Sequence, residues 1–217
     1  MRVLITSGGT REPIDGVRVI ANSSTGATGA ALADALFLAG FEVTLLRAEF
    51  AVIPDQLVRR KTFVTVRDLD TICYELLSRE HFDVMIHAAA VSDFVVEAVT
   101  VDGVRYPAPL SGKLSSAQKL SLELVPGKKI LPELKGYSRN PAMKLIGFKL
   151  TDGASESEIA KAVGKVLVAG ADLVVHNDQQ TMDHVRAVLW DASGPGKSLP
   201  NLLMLCEALV RYAKAAD

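Results

Sequence analysis

The chain is 217 residues long, 49% apolar and 23% charged, with 24 Lys and Arg set against 25 Asp and Glu for a net charge of −1. That is enough apolar material for one well-buried core, and the near-neutral balance excludes a non-specific nucleic-acid binder, which needs a basic face to displace counterions. No apolar run reaches the ~20 residues of a membrane span. Met1-Arg2 leads straight into a β-rich stretch with no signal peptide, so the expected compartment is the cytoplasm.

Val3-Leu4-Ile5-Thr6 is a β-branched run that stops at Ser7-Gly8-Gly9, as a buried parallel strand stops at a glycine loop. From Thr25 to Leu38 alanine and leucine recur at helical spacing, Gly40 supplies a left-handed cap, and Glu42 to Leu46 reads as the next strand. Strand, loop, helix and strand make a βαβ unit, which implies a parallel sheet. A helix over Val66 to Ser78 and a third strand over Asp83 to His87 continue the pattern. Lys144 to Phe148 predicts a strand, Ser155 to Val168 a helix opened by a Ser155/Glu158 capping box, and Leu173 to Val175 another strand. Arg186 to Trp190 predicts a last strand and Leu199 to Ala213 a last helix.

Between Phe94 and Gln118 the periodicity fails, apart from a hairpin expected over Val99 to Tyr106 around Asp102-Gly103. The expected architecture is α/β: a doubly wound, Rossmann-like, mostly parallel sheet with an irregular flap or arm insertion. Residues 1–217 are read as one nucleotide-binding domain with the flap at about 95–118. Cys73 and Cys206 sit in apolar helical contexts and read as buried packing residues.

Ligands of such sheets bind outside the carboxyl ends of the strands, and the polar clusters of this chain fall there. Thr6 to Asp15 follows the first strand, and Asn22-Ser23-Ser24-Thr25-Gly26-Ala27-Thr28-Gly29 leads into the first helix. Glycines let backbone amides approach an anion, hydroxyls donate to it, and a helix start adds its positive dipole end; the same residues also suit an ordinary glycine turn and helix cap. The third strand runs into His87-Ala88-Ala89-Ala90-Val91-Ser92-Asp93-Phe94, where small residues admit a ligand and Asp93 can accept a hydrogen bond; His87 reads as a plain strand-end side chain. A later strand ends in His176-Asn177-Asp178, a polar pair or a simple turn. Lys113, within Ser111-Gly112-Lys113-Leu114-Ser115-Ser116, is a flexible cation suited to charge developing in phosphoryl or nucleotidyl transfer.

Taken together, Ser7-Gly8-Gly9-Thr10-Arg11-Glu12-Pro13-Ile14-Asp15 with Val17-Arg18, then Asn22-x-Ser24-Thr25-Gly26-x-x-Gly29, resembles the opening signature of phosphopantothenate-cysteine ligases. The resemblance continues through Ala88 to Phe94, Lys113 to Ser116, Gly147-Phe148-Lys149 and Asn177-Asp178, so it touches most of the chain in order. It implies a reaction in which the phosphopantothenate carboxylate attacks the α-phosphate of CTP, or of ATP in some members, and cysteine then takes the acyl group, with magnesium on the triphosphate. By position, Asn22 is the asparagine that handles the acyl intermediate and Lys113 the flap lysine. The resemblance implies that Gly8, Gly9, Thr10, Ser24, Thr25 and Gly26 line the phosphates and that Ala89, Asp93, Phe148, Asn177 and Asp178 fall in the nucleotide pocket. The resemblance also implies a homodimer whose arm completes the partner's site, and a stand-alone bacterial form whose product passes to a separate decarboxylase. Metal ligands are unassigned among Asp93, Asp178 and Asp183, and Lys119 is an alternative flap lysine. Val125-Pro126-Gly127 and Ala27 depart from the family pattern.

Two other classes fit parts of the pattern. A short-chain-dehydrogenase-like oxidoreductase needs Tyr-x-x-x-Lys, but Tyr74, Tyr106, Tyr137 and Tyr212 are followed four places on by Ser78, Leu110, Pro141 and Ala216. A non-catalytic nucleotide sensor needs the phosphate loop but has less use for Lys113.

Overall fold

The computed structural model describes residues 1–114 and 119–215; Ser115 and Ser116 of the Lys113 segment lie outside the described residues. Its elements in chain order begin with β1 (Arg2–Ser7), β2 (Arg11–Pro13), β3 (Val19–Ala21), α1 (Ala27–Leu38), β4 (Glu42–Ala48), β5 (Arg59–Phe63), α2 (Val66–Arg79) and β6 (Val84–His87). They continue with β7 (Phe94–Val101), β8 (Val104–Pro107), β9 (Leu120–Pro126), a 3-10 turn at Leu131–Glu133 and α3 (Leu134–Tyr137). The last are β10 (Lys144–Thr151), α4 (Glu156–Val168), β11 (Leu173–Asp178), β12 (Ala187–Asp191), β13 (Gly194–Leu199) and α5 (Leu202–Lys214).

Eight strands form the main sheet in the order β13-β12-β11-β10-β6-β1-β4-β5. From β11 to β5 all neighbours are parallel, and β12 and β13 add an antiparallel edge. Counting only the six parallel strands, the order is that of a dinucleotide-binding sheet, with its switch point between β1 and β6. Period-two alternation divides the core into two layers. Val3 and Ile5 face a cluster with Leu32 and Leu36 of α1 and Leu205 and Leu209 of α5, while Leu4 faces Leu69 and Leu76 of α2, Leu134 of α3 and Val163 of α4. The expected Ser155/Glu158 capping box is present on α4, and Thr65 with Asp68 makes another on α2.

Several elements depart from the sequence expectation. The segment read as an irregular flap holds β7 and β8, which with β9 beyond it form a three-stranded antiparallel sheet in the order β8-β7-β9, with the Asp102-Gly103 turn where the hairpin was expected. Strands β5 and β13 had no apolar pattern to betray them: Arg-Arg-Lys-Thr-Phe and Gly-Pro-Gly-Lys-Ser-Leu occupy the two edges, where charge and proline are tolerated because one side of the strand is unpaired. Leu199 accordingly ends β13, and the last helix starts at Leu202, capped by the Asn201 side chain on the Met204 amide. Cys73 and Cys206 are buried, and burial pushes both thiols up, to about 12 and about 11.

Candidate active site

The carboxyl ends of β1 and β6 do not part after the sheet ends. Gly9 and Ala90 form a further parallel bridge, with the Ala90 amide donating to the Gly8 carbonyl at 2.8 Å and the Thr10 amide to the Ala90 carbonyl at 3.1 Å. Thr10 is wholly buried, and its hydroxyl accepts the Ser92 amide at 3.0 Å. Thr6 works one step earlier: its hydroxyl oxygen accepts the Ala89 amide at 3.2 Å, and the same hydroxyl hydrogen-bonds Nδ1 of His87 at 2.9 Å. Burial pushes His87 down to about 4, so the ring is neutral at neutral pH.

The first helix is pressed onto this junction. Gly26, at φ +77°, caps α1 without a side chain of its own, and its carbonyl accepts the Ser7 hydroxyl at 2.9 Å. A methyl group at Gly29 would lie 2.4 Å from Ser7, and one at Gly8 would lie 2.7 Å from the β-carbons of both Ala48 and Ala51. Glycine is therefore required by packing as much as by any ligand. Asn22 donates its side-chain amide to the Val91 carbonyl at 3.2 Å, joining the loop before α1 to the wall after β6.

Between these walls and the ends of β10 and β11 lies a cleft of about 790 Å³. It brings together Asn22, Ser24, Thr25, Gly26, Ala89, Asp93, Phe148 and Asn177, which chain order scatters over 156 positions from Asn22 to Asn177. Gly9 lines an adjoining depression of about 320 Å³ with Asn22, Ser24, Thr25, Arg11 and Phe50, where the Arg11 guanidinium lies over the Phe50 ring. A third pocket, of about 470 Å³, shares Ala89, Val91, Asp93, Phe148 and Lys149 with the cleft and extends it between β6 and β10 over apolar Ile130, Leu131, Pro132 and Val166. The composite has a polar, glycine-walled end and an apolar end.

Four predicted residues lie elsewhere. Gly8 and Thr10 form the backing of the wall. Asp178 turns toward a separate pocket of about 570 Å³, where its carboxylate, held at about 2, accepts the Thr151 hydroxyl at 2.6 Å and the amides of Gly153, Gln180 and Ala154. Lys113 lines a depression on the arm with Val101, Tyr106 and Leu110, apart from the cleft.

Sequence reasoning missed four cations: Lys129, Lys149 and Lys165 in the extended pocket, and Arg186, which lines the cleft. Lys129 pairs with Asp93. Lys149 was visible only as the third residue of Gly147-Phe148-Lys149, and nothing in the run read as the strand from Arg186 to Trp190 distinguished Arg186. Among the described residues no three His, Cys, Asp or Glu side chains gather in a way that could hold a metal ion.

The family model described as DNA/pantothenate metabolism flavoprotein C-terminal domain matches residues 1–195. The coenzyme A biosynthesis bifunctional protein CoaBC of Thermococcus kodakarensis is 38% identical over 177 residues, covering 81% of this chain and 41% of that protein. Its namesake in Methanocaldococcus jannaschii is 35% identical over 178 residues, covering 82% and 40%. The chain thus spans about two fifths of the length of these curated relatives. Among solved structures, the DNA/pantothenate metabolism flavoprotein from Streptococcus pneumoniae superposes with a TM-score of 0.87 at 28% identity, over 100% of both chains.

Proposed function

The chain belongs to the DNA/pantothenate metabolism flavoprotein C-terminal domain family, and on that premise we propose that it condenses phosphopantothenate with cysteine through an acyl-nucleotidylate, CTP being the expected nucleotide. The observation that carries the reading is the convergence of eight predicted residues on one cleft at the β1/β6 switch point. A free carboxylate is a poor acyl donor. In the first step its oxygen bonds to the α-phosphorus as the bond to the departing pyrophosphate breaks. In the second the cysteine amine attacks the acyl carbon, gives up a proton, and the nucleoside monophosphate leaves.

In this reading the first turn of α1 and the Ser24-Thr25-Gly26 loop receive the phosphates, and the Phe148 pocket takes the base. Asn22, tied to Val91, orients the acyl group. Lys113 neutralises charge on the leaving group, and because it lies on the arm, apart from this chain's cleft, the arm of a second copy delivers it in a homodimer. Among the described residues the carboxylates do not gather into a metal site: Asp93 is paired with Lys129, and Asp178 is committed to its own turn. Magnesium therefore enters with the triphosphate that holds it, and the product goes on to a decarboxylase.

The test is pyrophosphate release from the purified protein given phosphopantothenate, magnesium and either CTP or ATP, with and without cysteine. CTP-dependent release, absent in Lys113→Gln and retained in Lys119→Gln, is the expected result. No pyrophosphate with either nucleotide would overturn the reading and leave a nucleotide-binding protein without turnover.

A further inference from the structure

We propose that Arg186 grips the terminal phosphates of the nucleotide and that Asn177 acts by positioning it; this deepens the reading above and rests on it. Arg186 stands just before β12 and lines the cleft beside the first turn of α1. Its Nη2 donates to the Thr28 hydroxyl at 2.6 Å, which fixes one edge of the guanidinium beside the amides of that turn. Its Nε is buried and has no hydrogen-bond partner among the described residues, and no carboxylate among them lies within ion-pair reach of it.

A guanidinium always carries its charge, and where this chain braces its fold with one and no carboxylate, as at Arg47, the group donates to backbone carbonyls, those of Ala48, Glu49 and Ala51; the buried Nε of Arg186 has no such acceptor among the described residues. A buried cationic donor left without a partner costs stability and is retained where an incoming anion supplies the partner. The anion must be a compact, multiply charged one, because two sets of donors face it: the free edge of Arg186, and the first-turn amides of α1 beyond Ala27, whose own amide donates to the Thr25 hydroxyl at 3.3 Å while the Gly26 cap offers no side chain.

Asn177 explains how the guanidinium is aimed. Its side-chain amide donates to the backbone carbonyl of Arg186, pinning the chain where it turns into β12. The asparagine thus acts through the arginine as a positioning residue, with its effect on the phosphates arriving by way of the Arg186 backbone.

The experiment compares calorimetric binding of CTP and CMP to the wild type, Arg186→Gln, Arg186→Lys, Thr28→Val and Asn177→Ala, with thermal unfolding of each. Loss of a charge-assisted contact to the terminal phosphates predicts that Arg186→Gln weakens CTP about tenfold to a hundredfold and CMP less than about threefold. Arg186→Lys should restore part of the CTP affinity, and Asn177→Ala should lower CTP affinity in the same selective way. Thr28→Val, which breaks the bracing bond but leaves the charge, should keep the preference for CTP. Equal losses for CTP and CMP, or an unchanged ratio in Arg186→Gln with a lowered melting temperature, would assign Arg186 to the fold and overturn the proposal. If Arg186→Gln does not fold, the Arg186→Lys and Asn177→Ala ratios decide it in the same sense. Wild-type pyrophosphate release with an unmoved ratio would sink this inference and leave the ligase reading standing; wild-type protein that binds neither CTP nor inorganic pyrophosphate would sink both.

Discussion

The buried carboxylate of Asp15 accepts the backbone amide of Leu114 at 3.1 Å, across 99 residues of chain. Burial works against its charge, but the amides of Val17, Arg18 and Leu114 and the Arg18 guanidinium hold the carboxyl well below the usual carboxylate range. Arg18 also donates to the Leu114 carbonyl at 3.2 Å, the Gly16 amide donates to the Gly112 carbonyl at 3.0 Å, and Ile14 packs on Val99 and Val101. The segment bearing Lys113 is therefore moored to the β2–β3 hairpin on both sides of the lysine. Asp15→Asn removes an acceptor and substitutes a donor facing other donors. Trypsin cleavage after Lys113 should become at least about tenfold faster, with nucleotide-dependent turnover lower, because local opening sets the cleavage rate. Unchanged cleavage would show that the mooring does not depend on Asp15.

The neutral His87 ties stability to pH. Its folded value of about 4 lies below the unfolded value of 6.5, so its contribution is fully present above about pH 6.5 and is lost as pH falls toward and through about 4. The full difference corresponds to about 3 kcal/mol. Burial lowers His176 as well, and its ring bonds the Thr151 hydroxyl at 2.8 Å, so it acts in the same direction. Urea denaturation between about pH 7 and about pH 4.5 should show a fall in stability that His87→Gln makes shallower. An identical slope in the variant would contradict the buried neutral ring.

Two helical glycines should respond oppositely to alanine. At Gly29 the added methyl meets Ser7 at 2.4 Å, so overpacking of about 1–3 kcal/mol outweighs the ~1 kcal/mol gain in helix propensity. At Gly164, in α4, nothing lies within 4 Å and the propensity gain should appear nearly whole, about 0.5–1 kcal/mol of added stability. Chemical denaturation of both variants checks this; a stabilised Gly29→Ala would mean that α1 has room to move off β1.

The buried parallel strands and their helices were legible because each carries its own period: Val3-Leu4-Ile5 alternates between two covered faces, and the Ser155/Glu158 box announces α4. The edges were not, since each buries only its last residue, Phe63 or Leu199, and the largely exposed positions before it need no apolar pattern. Strand β9 does alternate, at Leu120, Leu122 and Leu124, but of these Leu122 alone packs on the small arm cluster while Leu120 and Leu124 stay exposed, so the alternation does not mark a buried face. In the site, glycines and small residues marked the strand ends correctly. Local sequence could not tell which way a side chain turns after a strand, and this separates Asn177, in the cleft, from its neighbour Asp178, behind it.

The Gly9–Ala90 bridge has a mechanical corollary. Thr10, Ala90 and Ser92 are locked in one hydrogen-bonded unit, so a push on the loop after β1 is transmitted directly to the loop after β6. That side of the cleft behaves as a single stiff jaw. Widening to admit substrate or release product then falls to the other side, where Gln179 and Met182 of the turn between β11 and β12 line the cleft.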